Sequence, residues 1–230
     1  AILPSTESSR TALNQNGFIL SMNKTKKPAD RLIFHVDVNS AFLSWESARR
    51  MKEGLPDLRD IPACIGGDPA KRTGIVVAKS IPAKKCGVQT GEPVAMALRK
   101  CPNMVIVPSD FDLYVKCSRA IKKICASYTP DMESFSIDEV FLDMTGTSLL
   151  YPDPIAAAHE IKDRISDELG FTVNVGISTN KLLAKMASDF EKPNKVHTLF
   201  PEEIPAKMWP LPVRELLFLG KASEKKLTEA

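Results

Sequence analysis

The sequence predicts an α+β fold, in which an antiparallel sheet carries helices on one face. Three observations indicate it. Short apolar segments of strand length, such as 32–37 and 140–143, alternate with longer amphipathic segments, such as 111–128 and 153–169. Gly and Pro residues stand at many of the segment boundaries, where turns and helix ends are expected. The length of 230 residues suits one large domain or two to three small ones.

The elements can be placed in order along the chain. They are strand 32–37, helix 40–52, strands 62–65 and 75–78, helices 82–86 and 94–101, strand 105–107, helix 111–128, strands 132–135 and 140–143, helix 153–169, strand 172–177 and helix 180–190. Once the segment 51–107 is set aside, the order becomes strand, helix, strand, strand, helix, strand. This is the ferredoxin-like βαββαβ arrangement.

This order predicts the domain organisation. Residues 31–50 and 108–199 would build the ferredoxin-like unit, and residues 51–107 a small domain inserted into it. Residues 1–30 are polar and aperiodic, so we expect a leader or extension outside the fold. Residues 200–230 would begin a further, helical domain.

Composition argues against several classes of protein. The longest apolar runs, such as 74–78, are of strand length, and the N-terminus has no apolar core of signal-peptide type. We therefore expect a cytoplasmic protein without a membrane partner. The cysteines are odd in number and form no CxxC pair, which disfavours a zinc site or a disulfide framework. We expect them to be small buried apolar residues.

The net charge of +3 does not by itself indicate nucleic-acid binding, but its distribution is uneven. Basic residues cluster in two stretches, which are Lys71, Arg72, Lys79, Lys84 and Lys85, and Lys181, Lys185, Lys192 and Lys195. Local basic faces suit a protein that binds phosphates at particular places. Solvated surface lysines are the alternative interpretation.

Two adjacent acids interrupt an apolar hairpin. Asp138 and Glu139 lie between apolar residues of the segment 132–143, where Asp is rare and the two charges repel. In the ferredoxin-like order, Asp37 at the end of the first strand would face this hairpin. Three carboxylates and a backbone carbonyl, such as that of Val38, could hold two Mg²⁺ ions. The alternative is that Asp138 and Glu139 form only an exposed β-turn.

Three segments carry a resemblance to a known family. They are 35–42 (HVDVNSAF), 136–143 (SIDEVFLD), and 175–178 (VGIS) with 180–188 (NKLLAKMAS), continuing through 192–194 (KPN). The sequence resembles the Y-family, or translesion, DNA polymerases, and most closely their bacterial DNA polymerase IV branch. The resemblance covers the chain from about residue 32 to its last residue.

The resemblance implies an active site. Asp37 and Asp138 would bridge both Mg²⁺ ions, and Glu139 would hold the ion that lowers the pKa of the primer 3′-hydroxyl. The backbone carbonyl of Val38 would be a further ligand. Phe42 matches the steric gate, an aromatic side chain that leaves no room for a ribose 2′-hydroxyl.

The resemblance also implies how the incoming triphosphate is bound. Lys84 and Lys192 match basic residues that contact it. The chain departs from the family at Ala78, where a small hydroxyl residue is common, and at Ile81, where a tyrosine is. We therefore expect the phosphate contacts to be rebuilt here, with Lys79 or Ser80 as candidates. Asn39 replaces a frequent second Asp, and we expect activity to survive this change.

By the same resemblance, residues 31–50 and 108–199 are the palm, 51–107 the fingers and 200–230 an incomplete thumb. The thumb would begin a helix-hairpin-helix in which Gly220 and Lys221 contact a DNA phosphate. Phe218 replaces the first glycine of that motif. We expect an N-terminal fragment that lacks the little finger and a C-terminal clamp-binding region and is weakly active alone.

The implied function is low-fidelity DNA synthesis past damaged bases, with primer–template DNA, dNTPs and a sliding clamp as partners. One alternative is a non-catalytic DNA-binding or scaffold fragment, which would have no use for three clustered acids. Another is a nucleotide cyclase with a palm-like fold, because 66–68 (GGD) begins the cyclase signature GGDEF. Pro69 and Ala70 break that signature, so we interpret the triplet as a turn.

Overall fold

The computed structural model describes residues 31–67 and 74–229. The predicted extension 1–30 lies outside the described residues, as does the segment 68–73 with Lys71, Arg72 and most of the predicted turn after residue 66. Within the described ranges, no helix combines the length and the apolar character needed to cross a membrane.

The strands follow the predicted segments closely. They are β1 (Ile33–Val38), β2 (Ala63–Gly66), β3 (Val76–Lys79), β4 (Val105–Pro108), β5 (Met132–Ser134), β6 (Glu139–Asp143), β7 (Val173–Ser178) and β8 (Val196–Thr198). The helices are α1 (Ala41–Lys52), α2 (Ile81–Lys85), α3 (Val94–Lys100), α4 (Phe111–Ala126), α5 (Pro154–Leu169), α6 (Lys181–Asp189), α7 (Ile204–Lys207) and α8 (Lys221–Thr228).

Strands β5, β6, β1, β7 and β8 form one sheet in that order. Strand β1 lies in the centre and pairs antiparallel with β6 on one side and β7 on the other. The first four strands have the order of a ferredoxin-like sheet, and the predicted α+β class is confirmed. Strand β8, parallel to β7, was not predicted because its three residues are too short to show a periodic pattern.

A second, three-stranded sheet has the order β3, β2, β4. Strand β2 pairs antiparallel with β3 and parallel with β4. Helices α2 and α3 help to enclose a separate buried cluster with this sheet, made of Cys64, Val76, Ala83, Val88, Val94, Ala97, Cys101 and Met104. Cys86, at the end of α2, is exposed, so the expectation that the cysteines are buried was wrong for this residue.

Side-chain caps set the starts of α4, α5 and α6. The carboxylate of Asp110 accepts a hydrogen bond from the Leu113 amide at the start of α4, and Asp153 caps α5 in the same way. The side-chain oxygen of Asn180 caps α6. Because a capping residue lies outside the helix, α5 and α6 begin one residue later than predicted.

Helix α6 packs directly against strand β7 at Gly176. A Cβ atom at this position would overlap the backbone carbonyl oxygen of Ala184 and the backbone nitrogen of Ser188. Both of these groups belong to the helix backbone and cannot rotate away. The absence of a side chain at Gly176 therefore sets the distance between α6 and the sheet.

We expect Gly176→Ala to lower the free energy of unfolding by about 3 kcal/mol, because the helix must move away from the sheet. Urea denaturation followed by circular dichroism measures the change. Gly146→Ala is the control, since no atom lies within 4 Å of a Cβ placed there. The control should shift the unfolding free energy by no more than about 0.5 kcal/mol. Equal midpoints for the two variants would contradict the packing argument.

Candidate active site

The structure brings the three predicted acids together at one end of two adjacent strands. Asp37, near the end of β1, pairs across the sheet with Glu139, the first residue of β6. The backbone amide of Val38 donates to the carbonyl oxygen of Asp138 at 3.1 Å. This hydrogen bond holds Asp138, the residue before β6, next to the end of β1.

Each carboxylate has a hydrogen-bond donor. The Nζ of Lys192 lies 2.6 Å from Oδ2 of Asp37, and the Nζ of Lys185 contacts Oε1 of Glu139. The hydroxyl of Ser136 donates to Oδ1 of Asp138 at 2.6 Å. Two lysines therefore compensate the charge of two of the acids, and a hydroxyl binds the third.

Burial dominates the electrostatics of Asp37, which is 6% exposed. Burial raises the pKa of Asp37 to about 6, and repulsion by Glu139 adds to this, although the charge of Lys192 opposes it. Burial also lowers the pKa of Lys192, but Asp37 and Asp189 outweigh that effect and the net shift is upward. The Lys192 ammonium is thereby held in its charged form.

The chemistry of this set fits a divalent cation. Three carboxylates at adjoining strand ends supply the hard oxygen ligands that Mg²⁺ prefers, and the buried charge of Asp37 would be stabilised by a cation. Across residues 31–67 and 74–229, no three Asp, Glu, His or Cys side chains already converge as a metal cluster. In this arrangement Lys185 contacts the carboxylate of Glu139, and the hydroxyl of Ser136 donates to the carboxylate of Asp138.

The backbone around these acids is held by a buried amide network. Asn39 donates from Nδ2 to the side-chain oxygen of Asn174 at 3.1 Å. Its own side-chain oxygen accepts from the hydroxyl of Thr172 and from the amide of Asn194. Asn39 therefore joins the end of β1 to β7 and to the segment that follows Lys192. No local pattern indicates this role, because the partners of Asn39 are more than 130 positions away along the chain.

A cleft of about 400 Å³ lies beside Asp138. Both Phe42 and Lys84 line it, so the structure brings these two predicted site residues next to one of the acids. The Phe42 ring packs against Tyr114, with 4.7 Å between ring centroids, and against Trp45 at 5.8 Å. Phe42 is thus braced by two buried aromatic side chains.

Lys192 lines a different groove, of about 690 Å³, together with residues 214–220. Gly220 caps the start of α8 with an extended backbone, and Lys221 is exposed at the first position of this helix. Phe218 has φ 64° and is 78% exposed. Its backbone has the left-handed conformation that glycine favours, although the side chain is large.

The second basic cluster is largely paired with acids. Lys181 contacts Glu133, Lys185 contacts Glu139, and Lys195 lies 3.4 Å from Glu191. Lys185 is buried, whereas Lys181 and Lys195 are exposed, as the solvated-surface interpretation expects. Lys185 was not among the predicted site residues. Its only signal was its place four residues after Lys181 on a helix, which puts the two on the same face.

Comparisons with known proteins show which family the chain matches. The model of the impB/mucB/samB family matches residues 36–189. The DNA polymerase IV of Clostridium acetobutylicum is 52% identical over 200 residues, which cover 86% of this chain and 50% of that protein. The DNA polymerase IV of Acetivibrio thermocellus is 42% identical over 197 residues, covering 86% and 48%. The chain thus spans about half the length of these curated relatives.

Solved structures of polymerases share the fold. The crystal structure of DinB from Sulfolobus solfataricus superposes with a TM-score of 0.75 at 26% identity, covering 86% of this chain and 57% of that one. A Y-family DNA polymerase chimera of Dbh and Dpo4 gives 0.78 at 27% identity, with the same coverage. The insertion ternary complex of Dbh DNA polymerase gives 0.76 at 27% identity. The chain therefore belongs to the impB/mucB/samB family and is a member of the Y-family DNA polymerases.

Proposed function

We propose that the chain is the catalytic part of a translesion DNA polymerase, which transfers a nucleotide from a dNTP to a primer 3′-hydroxyl on a DNA template. The observation that carries the proposal is the meeting of Asp37, Asp138 and Glu139 at the ends of β1 and β6. One of these acids, Asp138, lines a cleft that is also lined by Phe42 and Lys84. Relatives that match most of this chain are named DNA polymerase IV.

In this proposal the three carboxylates and the Val38 carbonyl hold two Mg²⁺ ions. The bound ions would lower the pKa of the attacking hydroxyl and neutralise charge on the leaving pyrophosphate. The protein residues orient the reactants around them. Lys84 lines the cleft, and the ammonium of Lys192 contacts the carboxylate of Asp37. In this proposal both lysines bind triphosphate oxygens. Phe42 would close the space beside the sugar.

The proposed domain organisation is palm (31–50 and 108–199), fingers (51–107) and the start of a thumb (200–230). Primer–template DNA would be held in part by Gly220 and Lys221, because a helix N-terminus offers free backbone N–H groups to phosphate. A sliding clamp is a further proposed partner, through a region outside these 230 residues. We propose a cytoplasmic location. We also propose low fidelity, because the small fingers would cover the base pair loosely.

Metal binding tests the role of the acids. We expect Asp138→Asn to weaken Mn²⁺ binding, measured by electron paramagnetic resonance, by at least about tenfold, because a charged ligand is lost. Glu133→Gln is the matched control: it removes a carboxylate from the neighbouring strand β5, where Glu133 is exposed and paired with Lys181. The control should bind Mn²⁺ as the wild type does. Equal affinities in all three proteins would remove the proposed metal site.

Primer extension tests the reaction itself. In a protein that continues to the full length of its relatives, Asp138→Asn should slow Mg²⁺-dependent extension by about 10³-fold, since the metal contributes several kcal/mol to the transition state. A scaffold would extend no primer with either residue, so the wild-type rate separates the two hypotheses. Processive extension by the 230-residue chain alone would contradict our expectation that it is weakly active.

Sugar discrimination tests Phe42. We expect Phe42→Val to increase ribonucleotide incorporation relative to deoxyribonucleotide by about 100-fold, because it opens space for the 2′-hydroxyl. Phe111→Val is the control: Phe111 also contacts Tyr114, at 5.6 Å between centroids, but lines a different cleft. Single-turnover incorporation of rNTP and dNTP gives the ratio. An unchanged ratio in Phe42→Val would exclude Phe42 as the gate.

A further inference from the structure

The cleft beside Asp138 contains two lysines, one at each of two neighbouring elements. Lys79 ends strand β3, Lys84 lies on α2, and both line the cleft. Their situation differs from that of Lys185 and Lys192, whose ammonium groups contact carboxylates. The Nζ of Lys79 donates instead to a neutral hydroxyl, Oγ1 of Thr90, at 2.8 Å.

Lys79 also lies near an acid, Glu92, but the carboxylate of Glu92 already has other hydrogen-bond partners. Glu92 lies in the same loop as Thr90, and its carboxylate accepts hydrogen bonds from Lys100 and from the amide of Gln89. These contacts and the charge of Lys79 lower the pKa of Glu92. Among residues 31–67 and 74–229, no carboxylate is hydrogen-bonded to Lys79, so its positive charge on the cleft is available to an anion.

Neither the two residues that depart from the family here nor Ser80 offers an accessible side-chain donor to phosphate. Ala78 and Ile81 have no side-chain donor. Ser80, the other candidate for a rebuilt phosphate contact, is only 1% exposed. Its hydroxyl oxygen accepts from the amides of Ala63 and Ala83 and caps α2. Ser80 therefore supports the fold, and of the two candidates only Lys79 can reach a ligand.

Backbone hydrogen bonds hold Thr90 beside Lys79. The amide of Gly91 donates to the carbonyl oxygen of Val76 at 2.8 Å, and the Val76 amide donates to the carbonyl oxygen of Glu92 at 2.9 Å. The loop is thus bound to β3, the strand that carries Lys79. Thr90 occupies one of the three donors of the ammonium and leaves two for phosphate oxygens. This hydrogen bond also lowers the entropy that Lys79 would lose on binding.

We propose that Lys79, positioned by Thr90, binds the phosphate tail of the incoming nucleotide together with Lys84. This assignment rests on the proposed function, because it makes the cleft the nucleotide site. The two lysines would contact the tail from the fingers, while the acids and their metals would contact it from the palm. Thr90 acts through Lys79 and is a positioning residue.

Nucleotide titrations of the 230-residue chain test this proposal. We expect Lys79→Ala to weaken dNTP binding by about tenfold, the size of one lost charge-assisted hydrogen bond. It should leave the affinity for the corresponding deoxynucleoside, which has no phosphate, unchanged. Lys79→Arg should keep most of the dNTP affinity. Lys85→Ala is the matched control, because Lys85 is an exposed lysine next to Lys84 that does not line the cleft.

Thr90→Val separates positioning from direct binding, since it removes the hydroxyl and keeps the shape. It should weaken dNTP binding by a few-fold in the wild type but have no further effect in Lys79→Ala. Thermal denaturation checks that all variants are folded. If Lys84→Ala weakens dNTP binding and Lys79→Ala does not, the assignment of Lys79 is wrong while the proposed function stands. If the wild type binds no dNTP in the presence of Mg²⁺, both are wrong.

Discussion

The antiparallel pairing of β1 with β6 is the constraint on which the site depends. Its register puts Asp37 directly opposite Glu139, in a position where like charges destabilise a sheet. Burial adds to the cost and raises the pKa of Asp37 to about 6. The repulsion between the two carboxylates is offset because Lys192 and Lys185 bring two positive charges to the same strand ends. The positions of these lysines are therefore as important as those of the acids.

The position of Lys185 depends on the packing of α6. Gly176 lets this helix approach β7 so closely that no side chain would fit between them. Lys185 lies next to Ala184, whose carbonyl makes that approach, and the hydroxyl of Ser188 bonds both to the Lys185 carbonyl and to the buried ring of His35. The hydroxyl of Ser188 thus connects the backbone of α6 to His35 of β1, two residues before Asp37. A single glycine in this way controls the electrostatics of a carboxylate on another strand.

The sequence was sufficient for the α+β class and for most elements, because their patterns are local. It also indicated that Asp37 lies beside the hairpin that carries Asp138 and Glu139, since the strand order alone sets that position, while the role of the acids stays a prediction. It could not indicate that Lys185 contacts Glu139 or that Asn39 joins three segments, because these contacts depend on helix packing and loop positions. Ser80 illustrates the same limit: its residue type suits phosphate binding, and only its burial excludes it.

The lysines of the site divide into two groups with different electrostatic roles. Lys185 is 8% exposed and contacts Glu139, so its main effect is to offset a buried negative charge. Lys192 contacts Asp37 and Asp189, which leaves one of its three donors for another group. Within the described part of the chain, the side chain of Lys79 donates to the hydroxyl of Thr90 and to no carboxylate. The charge of Lys79 is therefore not offset by a bonded carboxylate within the described residues, whereas the charges of Lys185 and Lys192 are, and this makes Lys79 the better partner for an anion in the cleft.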